Sequence, residues 1–254
     1  MSAQTGASSA LETDGLTIRY GQTTVVEGLS LAVPRGAVYA LLGRNGAGKS
    51  SLLRVLLGQR PAAIGRVLVL GEDPWKRRTS LMAKVGVVPE EPDAPPEMTP
   101  AELSAFCGRL HARWDGGAVT ERLRRFEVPL DRPFGSLSKG QRGAVSLALS
   151  LGHTPELLLL DDPTLGLDVV ARDAVFQEVI GDLADRGTTV FTTTHDLRAI
   201  EGIADHVAIL HGGRLVLAGA LEALKAERGL PLEQIFASVA GTRASDARIT
   251  EVRS

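Results

Sequence analysis

The spacing of hydrophobic and polar residues divides the chain into strands and helices. From Leu16 to Val33 apolar residues alternate with polar ones, with breaks at Tyr20-Gly21 and Glu27-Gly28, which predicts a small antiparallel sheet. Further strands are predicted at short apolar runs: Ala37–Leu42, Gly65–Gly71, Val85–Val88, Leu157–Leu160, Thr188–Thr193, and a hairpin of Val207–Leu210 with Leu215–Leu217 around Gly212-Gly213. Helical spacing occupies Ser51–Leu57, Arg172–Ala184 and Leu197–Ile203. Strands that alternate with helices predict an α/β fold whose mostly parallel sheet is covered on both faces.

The pattern becomes purely helical between Ala101 and about Leu151. Breaks in this segment fall at Gly116-Gly117, Pro129 and Pro133, and β-branched residues are sparse. We therefore predict an inserted helical subdomain. The stretch that precedes it is rich in proline, which predicts a loop without regular structure: Pro89, Pro92, Pro95, Pro96 and Pro100.

Composition and charge narrow the class of protein. A length of 254 residues suits one large α/β domain, or one domain with an inserted subdomain. The net charge of −2 gives no overall positive field that would attract nucleic acid. A local basic cluster is interpreted as the solvated face of a helix: Arg122, Arg124 and Arg125. The longest aliphatic runs are far shorter than the ~20 residues that cross a bilayer.

The single cysteine and the first residues bear on the cellular compartment. Because Cys107 is the single cysteine, the chain cannot form an intrachain disulfide or a multi-cysteine metal site, which suits a reducing cytoplasm. Its neighbours Leu103 and Phe106 indicate that Cys107 is a small buried hydrophobic residue. Residues Met1 to Glu12 contain no positive start and no apolar stretch. We interpret them as a flexible tail and not as a signal peptide.

Residues 43–50 read Gly-Arg-Asn-Gly-Ala-Gly-Lys-Ser and match the phosphate-loop pattern G-x-x-x-x-G-K-[ST] completely. The octapeptide lies between a predicted strand and a predicted helix, so its backbone N–H groups would point at the positive end of the helix dipole, where phosphates bind. Lys49 would reach the β- and γ-phosphates, and the hydroxyl of Ser50 would bind Mg²⁺. The alternative is an ordinary glycine-rich turn with a solvated lysine.

Paired carboxylates and a capped helix are two further candidate sites. Asp161 and Asp162 directly follow the run Leu157–Leu160, at the strand end where parallel sheets bind ligands. One carboxylate can hold Mg²⁺ while the other orients an attacking water, although adjacent aspartates alone are equally consistent with turn caps. Ser138 stands like the N-cap of a helix, Arg142–Leu151, and therefore marks a potential anion site, with an ordinary capped helix as the alternative.

The order of these segments resembles the ATPase domain of the ATP-binding cassette (ABC) transporters. The phosphate loop is followed by Leu137-Ser138-Lys139-Gly140-Gln141, by Leu157–Pro163, by Leu165-Gly166-Leu167-Asp168 and by Thr194-His195-Asp196. The resemblance spans about residues 12–225, with the helical insertion at about 90–151. It leaves a tail over residues 1–11 and a short C-terminal extension over residues 226–254.

The resemblance implies roles for individual residues in binding ATP and Mg²⁺. The Walker A loop corresponds to Gly43, Arg44, Asn45, Gly46, Ala47, Gly48, Lys49, Ser50 and Ser51. Tyr20 corresponds to the aromatic residue that stacks on adenine, although a hairpin tyrosine packed on the sheet is an alternative. The family signature, which faces the γ-phosphate on the opposite subunit of a head-to-tail dimer, corresponds to Ser138, Lys139, Gly140 and Gln141.

The acidic and imidazole positions of the family also have counterparts. Asp161 matches the Walker B aspartate that holds the metal together with Ser50, and Asp168 matches the D-loop acid. His195 matches the switch histidine that hydrogen-bonds the γ-phosphate. The remaining histidines match nothing and are interpreted as surface or core residues: His111, His153, His206 and His211.

Two positions depart from the family pattern, and both lie where the chemistry takes place. Walker B is usually followed by Glu, but here by Asp162, and the Q-loop usually opens with Gln, but here with Glu90. The aspartate carboxylate is one methylene shorter, and a misplacement of ~1 Å can lower a rate ~10²-fold while binding is largely spared. Glu90 adds negative charge beside the metal, which is favourable only when Mg²⁺ is present. Lys139 stands where Gly is commoner, as in some export-type members.

We expect an ATPase subunit like the single-domain subunits of bacterial export systems, cytoplasmic and peripheral on the cytoplasmic face of the cell membrane. ATP-dependent closure with a second cassette, identical or different, would drive transmembrane permease subunits on separate chains, and the stiff loop Glu91–Pro100 would contact them. No nucleic-acid partner is expected.

Two other classes of function stay open. One is a soluble ABC protein that acts on ribosomes or DNA, although those generally carry tandem cassettes or a coiled-coil insertion, and this chain has neither. The other is a regulatory ABC ATPase with slow turnover, which Asp162 favours.

Overall fold

The computed structural model describes residues 9–163, 186–240 and 250–251. The chain divides into two compact units, the first of residues 1–81 and 189–254 and the second of residues 82–188. It therefore starts in the first unit, passes through the second and returns to the first.

The elements are as follows, in chain order. The strands are β1 (Ser9–Tyr20), β2 (Thr23–Pro34), β3 (Val38–Leu42), β4 (Ile64–Val69), β5 (Val85–Val88), β6 (Leu157–Asp161), β7 (Thr189–Thr194), β8 (His206–His211), β9 (Arg214–Ala220) and β10 (Thr250–Glu251). The α-helices are α1 (Lys49–Leu56), α2 (Arg78–Met82), α3 (Pro100–Leu110), α4 (Gly116–Arg125), α5 (Lys139–Leu151), α6 (Leu197–Glu201), α7 (Leu221–Arg228) and α8 (Leu232–Ala240), with a 3₁₀ turn at Phe134–Ser136.

An antiparallel sheet in the order β2-β1-β4 forms the N-terminal part of the first unit. Strand β1 already begins at Ser9, and the side chains of Ala10 and Leu11 are buried. Residues 9–11 therefore belong to a strand and not to the predicted flexible tail, because their few apolar side chains pack into the core. Residues 1–8 lie outside the described part of the chain.

The predicted break at Glu27-Gly28 is a β-bulge and not a turn. Leu16 pairs with Leu29, but Ile18 pairs with Val26, so β2 contains one more residue than β1 over this stretch. Gly28 accommodates the extra residue with a φ of +63°. Strand β2 therefore continues through the bulge to Pro34.

The other strands of the first unit, in the order β10-β9-β8-β3-β7, belong to a mostly parallel sheet. Strand β3 pairs in parallel with β7 on one side and with β8 on the other, and every residue of β3 and β7 is buried. Continuous burial is typical of a parallel strand that is covered on both faces. Strands β8 and β9 form the predicted hairpin around Gly212-Gly213. The predicted α/β fold is confirmed.

The second unit contains a parallel strand pair and the predicted helical insertion. Strands β5 and β6 pair with Val88 opposite Leu160. Helices α3, α4 and α5 surround a core that includes Leu123, Phe134 and Val145. The proline-rich loop ends at Thr99, which caps α3, so that Pro100 is the first helical residue.

Several details of the insertion differ from the sequence predictions. The predicted break at Gly116-Gly117 lies slightly earlier, between the end of α3 and the start of α4. The two glycines begin α4, where the Asp115 carboxylate accepts a hydrogen bond from the N–H of Ala118 at 2.8 Å. Arg122 is buried and not solvated, since it lies on the inner face of α4. Cys107 is only half-buried, and this burial raises the pKa of its thiol.

Two further predictions concern the C-terminal half of the chain. The helix predicted at Arg172–Ala184 lies outside the described residues, and the helix predicted at Leu197–Ile203 ends at Glu201.

Within the described ranges, no helix has both the length and the apolar character needed to cross a membrane.

The connection between β4 and α2 is held against the end of α1 by a glycine. Gly58 has a φ of +59°, and a Cβ atom at this position would lie 2.1 Å from the carbonyl oxygen of Pro74. The side chain of Arg78 donates a hydrogen bond from Nε to the carbonyl oxygen of Leu57 at 3.1 Å. Only glycine allows the two backbone segments to approach so closely.

We predict that Gly58→Ala lowers the free energy of unfolding by about 3 kcal/mol, because it combines an unfavourable φ with a backbone clash. Gly71→Ala is the matched control, since Gly71 has a φ of +83° but open space around its Cβ position. The control should lower the free energy of unfolding by only about 1 kcal/mol. Urea unfolding measures both, and equal effects would contradict the close approach at Gly58.

Candidate nucleotide-binding site

The predicted phosphate loop connects β3 to α1 in the first unit. Arg44, Asn45 and Gly46 are exposed at its tip, whereas Lys49 is only 8% exposed. The ammonium Nζ of Lys49 donates hydrogen bonds to the carbonyl oxygen of Gly43 at 2.6 Å and to that of Arg44 at 3.3 Å. The lysine is therefore folded over its own loop and is not a solvated side chain.

The glycines of this loop are required by its geometry. A Cβ atom on Gly43 would lie 2.7 Å from the carbonyl oxygen of Leu210, and one on Gly48 would lie 2.7 Å from Cγ2 of Val26. Gly48 has a φ of +110° and stands at the N-cap of α1, where it offers no side chain to cap the helix. The positive end of α1 is thus presented to the concave side of a backbone loop, which is an arrangement that binds anions.

His195 lies at the same edge of the sheet as the phosphate loop. Leu42, the last residue of β3, pairs with Thr194, the last residue of β7. Because the two strands are parallel, Gly43 and His195 both follow the carboxyl ends of adjacent strands. His195 is exposed there, and Asp196 caps the helix that follows by accepting a hydrogen bond from the N–H of Ala199 at 3.2 Å.

Tyr20 is linked to the helix that follows the loop. Its phenolic oxygen accepts hydrogen bonds from Ser51 and from Arg54, and these donors lower the pKa of the Tyr20 hydroxyl. The guanidinium carbon of Arg60 lies 3.9 Å from the ring centroid, which is a cation–π contact on one face of the ring. The tyrosine is therefore held beside the predicted site with one face covered by a basic side chain.

Arg54 and Arg60 contact Tyr20 but are not among the site residues predicted from the sequence. Arg60 reaches Tyr20 because the segment before β4 returns along β1, where the N–H of Ala63 donates to the carbonyl oxygen of Thr17 at 2.9 Å. No local sequence signal marks this contact. Arg54 lies one turn beyond Ser50 on α1, so the helical spacing alone could have indicated it.

The second unit brings together the acidic candidates at one edge of its strand pair. Val88 lies opposite Leu160, so Glu90 after β5 and Asp161 at the end of β6 are near the same carboxyl edge. Glu90 is exposed and Asp161 is half-buried. Asp162 is 7% exposed and has a φ of +44°, a left-handed backbone conformation that is uncommon outside glycine.

The predicted signature forms the N-terminus of α5 in the second unit. Ser138 Oγ accepts a hydrogen bond from the N–H of Gln141 at 3.2 Å, and the side chain of Gln141 accepts one from the N–H of Ser138 at 3.1 Å. This reciprocal capping box confirms the predicted N-cap. Ser138 and Lys139 are exposed, and Gly140 is half-buried. Asp168 lies outside the described residues.

A separate cavity of about 260 Å³ lies within the second unit. Its lining includes Pro92, Asp93 and Ala94 of the proline-rich loop, together with His111 and His153. The two imidazole rings stack with their centroids 4.3 Å apart. His153 is 5% exposed, and burial together with the neighbouring His111 lowers its pKa to about 4. Neither ring nitrogen of His153 makes a hydrogen bond of normal geometry, although the backbone of Val85 weakly favours the protonated ring.

The structure thus assembles the candidate residues in two groups. The first unit joins the phosphate loop, Tyr20 and His195, and the second unit joins Glu90, Asp161 and Asp162. Among the residues that the structure describes, no group of three or more His, Cys, Asp or Glu side chains could by itself hold a metal ion. A divalent metal would therefore need further oxygen ligands, such as water and the phosphates of a nucleotide.

Comparison with known proteins assigns this arrangement to a class. The sequence pattern of the ABC transporter family matches residues 26–165. The chain is 36% identical to the Nod factor export ATP-binding protein I of Ralstonia nicotianae over 222 aligned residues. The alignment covers 84% of this chain and 68% of that protein. It is 35% identical to the daunorubicin resistance ATP-binding protein DrrA3 of Streptomyces coeruleorubidus over 228 aligned residues. That alignment covers 88% of this chain and 72% of DrrA3.

The fold comparison agrees with the sequence comparison. The chain superimposes on the ATP-binding subunit of an ABC transporter with a TM-score of 0.82 and 26% identity, over 91% of this chain and 99% of the other. It superimposes on cbiO1 of Clostridium perfringens, part of an ABC transporter complex, with a TM-score of 0.75 and 27% identity, over 90% and 98%.

The fold and the phosphate loop define a P-loop nucleotide-binding protein. Within that class, the chain belongs to the ABC transporter family, and its relatives are ATP-binding subunits of export and resistance systems.

Proposed function

We propose that this chain binds and hydrolyses ATP and thereby drives transmembrane permease subunits on separate chains. The observation that carries the proposal is the loop around Lys49, in which a buried ammonium group lies inside a glycine wrap at the N-terminus of α1. A phosphate can replace the carbonyl oxygens of Gly43 and Arg44 as the partner of Lys49 without any change of fold. The relatives' names, which describe export, resistance and transport, support the coupling to transport.

The other residues of the site complete the proposal. Tyr20 would stack on adenine, with Arg60 on one face of its ring, and His195 would hydrogen-bond the terminal phosphate. Ser50, Asp161 and Glu90 would supply oxygen ligands to Mg²⁺, which would neutralise phosphate charge. Asp162 orients the attacking water.

Two partners belong to the proposal. The first is a second ABC ATPase subunit, identical or different, to which the exposed N-terminus of α5 presents Ser138 and Lys139; Asp168 would belong to the same contact. The second is the permease, which the proline-rich loop Glu91–Pro100 would contact; part of this loop also lines the cavity. The chain would then be cytoplasmic and peripheral on the cytoplasmic face of the cell membrane.

A regulatory ATPase with slow turnover is the second candidate function. Asp162 favours it, because its carboxylate is one methylene shorter than that of the usual Glu and would lie further from the attacking water. The two candidates differ in turnover and agree in nucleotide binding.

We predict that Lys49→Ala lowers the affinity for Mg-ATP at least tenfold, since a hydrogen bond to a charged group contributes roughly 1.5–3 kcal/mol. Calorimetry measures the dissociation constant. Lys76→Ala is the matched control, because it removes an exposed lysine and should leave the affinity unchanged. If wild type and Lys49→Ala bind Mg-ATP equally, the proposed nucleotide site is wrong.

We predict that Asp162→Glu raises ATP turnover, by up to ~10²-fold if position alone limits the rate. Asp162→Asn should lower turnover while it leaves nucleotide affinity largely unchanged, because the amide cannot accept a proton. Steady-state phosphate release measures both variants, and circular dichroism checks that they fold. Equal turnover in wild type and Asp162→Asn would mean that Asp162 has no catalytic role.

The same Asp162→Asn variant tests the nature of the second subunit. The chain has the signature residues that would complete the nucleotide site of a partner, but its own site carries Asp162 in place of the longer Glu. This combination suits pairing with a non-identical cassette whose own site retains the Glu. With saturating Mg-ATP, the purified variant should then stay monomeric in light scattering. A stable ATP-dependent homodimer would show that the chain pairs with itself.

A further inference from the structure

The connection between β4 and α2 presents a tryptophan and three basic residues in succession. Trp75 is 53% exposed. It is followed by the exposed residues Lys76, Arg77 and Arg78. Neither the tryptophan nor this basic run takes part in the nucleotide site. Tryptophan beside cations is typical of segments that lie at a membrane–water interface, where the indole ring is partly apolar and its N–H remains hydrated.

Local hydrogen bonds hold Trp75 in its exposed position. One carboxylate oxygen of Asp73 accepts hydrogen bonds from the backbone N–H of Trp75 at 3.0 Å and from that of Lys76 at 3.3 Å. The N–H of Arg77 donates to the carbonyl oxygen of Asp73 at 2.9 Å. Asp73 therefore orders the backbone of this turn around Trp75.

The turn is also anchored to the body of the first unit. Pro74, directly before the tryptophan, is buried, and its carbonyl oxygen lies against Gly58. On the other side, Arg78 donates to the carbonyl oxygen of Leu57. The backbone on both sides of Trp75 is thus fixed to the first unit, while about half of the tryptophan surface stays exposed beside three cations.

The charge of the turn indicates what that surface meets. Residues 72–78 contain three basic and two acidic side chains in a protein whose net charge is −2. Asp73 pairs with Lys76 at 3.4 Å, but Lys76 is highly exposed, so the ion pair is weak and Lys76 can exchange this partner for another anion. An anionic, partly apolar surface is complementary to such a turn.

We propose that the turn Asp73–Arg78 contacts the surface of an anionic phospholipid bilayer, with the Trp75 indole in the head-group region and Lys76 and Arg77 on lipid phosphates. This contact is separate from ATP binding and from the proposed contact with permease subunits. It would add a direct lipid attachment to the attachment through protein partners.

Tryptophan fluorescence tests the proposal on the full chain. The chain contains two tryptophans, Trp75 and Trp114, so Trp114→Phe leaves Trp75 as the single reporter. Vesicles of phosphatidylglycerol and phosphatidylcholine, added without nucleotide, should shift its emission to the blue, and salt should reverse the shift. Vesicles of phosphatidylcholine alone should cause little shift. No shift with the anionic vesicles, or an equal shift with both kinds, would overturn the proposal.

Vesicle sedimentation provides a second test that does not depend on Trp114→Phe. Lys76→Gln with Arg77→Gln should weaken binding to the anionic vesicles about 25-fold, at about fivefold per cation, and Trp75→Ser should also weaken it. Arg124→Gln with Arg125→Gln is the matched control, because it removes two exposed cations from α4 in the second unit. The proposal is wrong if wild type does not sediment with the vesicles or if the control loses as much binding as the Lys76 and Arg77 variant. Absence of vesicle binding would indicate that the turn instead meets a protein.

Discussion

The parallel pairing of β3 with β7 and β8 is the constraint on which the candidate nucleotide site depends. Leu42 lies opposite Thr194 on one side and Ile209 on the other. This register brings three carboxyl ends to one edge, so that Gly43 begins the loop beside His195 and against the carbonyl oxygen of Leu210. Because β3 and β7 are buried along their whole length, a shift of register would move all of these side chains out of their packed positions and is strongly disfavoured.

Lys49 places a positive charge inside the loop between β3 and α1. A buried ammonium group needs compensation, and here the carbonyl oxygens of Gly43 and Arg44 supply it within the loop itself. The loop is thus already organised around a positive charge before any anion binds. In the proposed function, a nucleotide phosphate exchanges places with neutral carbonyl groups, so that binding energy is not spent on ordering the loop.

Local patterns were sufficient to predict the phosphate loop, the hairpin around Gly212-Gly213, the helical insertion and the N-cap at Ser138. Each depends on residues close together in sequence, for which spacing and backbone preference are decisive. Contacts between distant segments could not be predicted in this way. The burial of Ala10 and Leu11, the inward position of Arg122 and the placement of Arg60 on Tyr20 all follow from tertiary packing. The left-handed backbone of Asp162 likewise has no signal in the sequence.

In the proposed function, nucleotide phosphates bind to the backbone of the loop between β3 and α1. Hydrogen–deuterium exchange of the full chain, with and without a saturating non-hydrolysable Mg-ATP analogue, tests it most directly. The amides of residues 45–51 should exchange markedly more slowly with the analogue, because their N–H groups then donate to phosphate oxygens. Unchanged exchange across these residues, in a sample shown to bind the analogue, would contradict it.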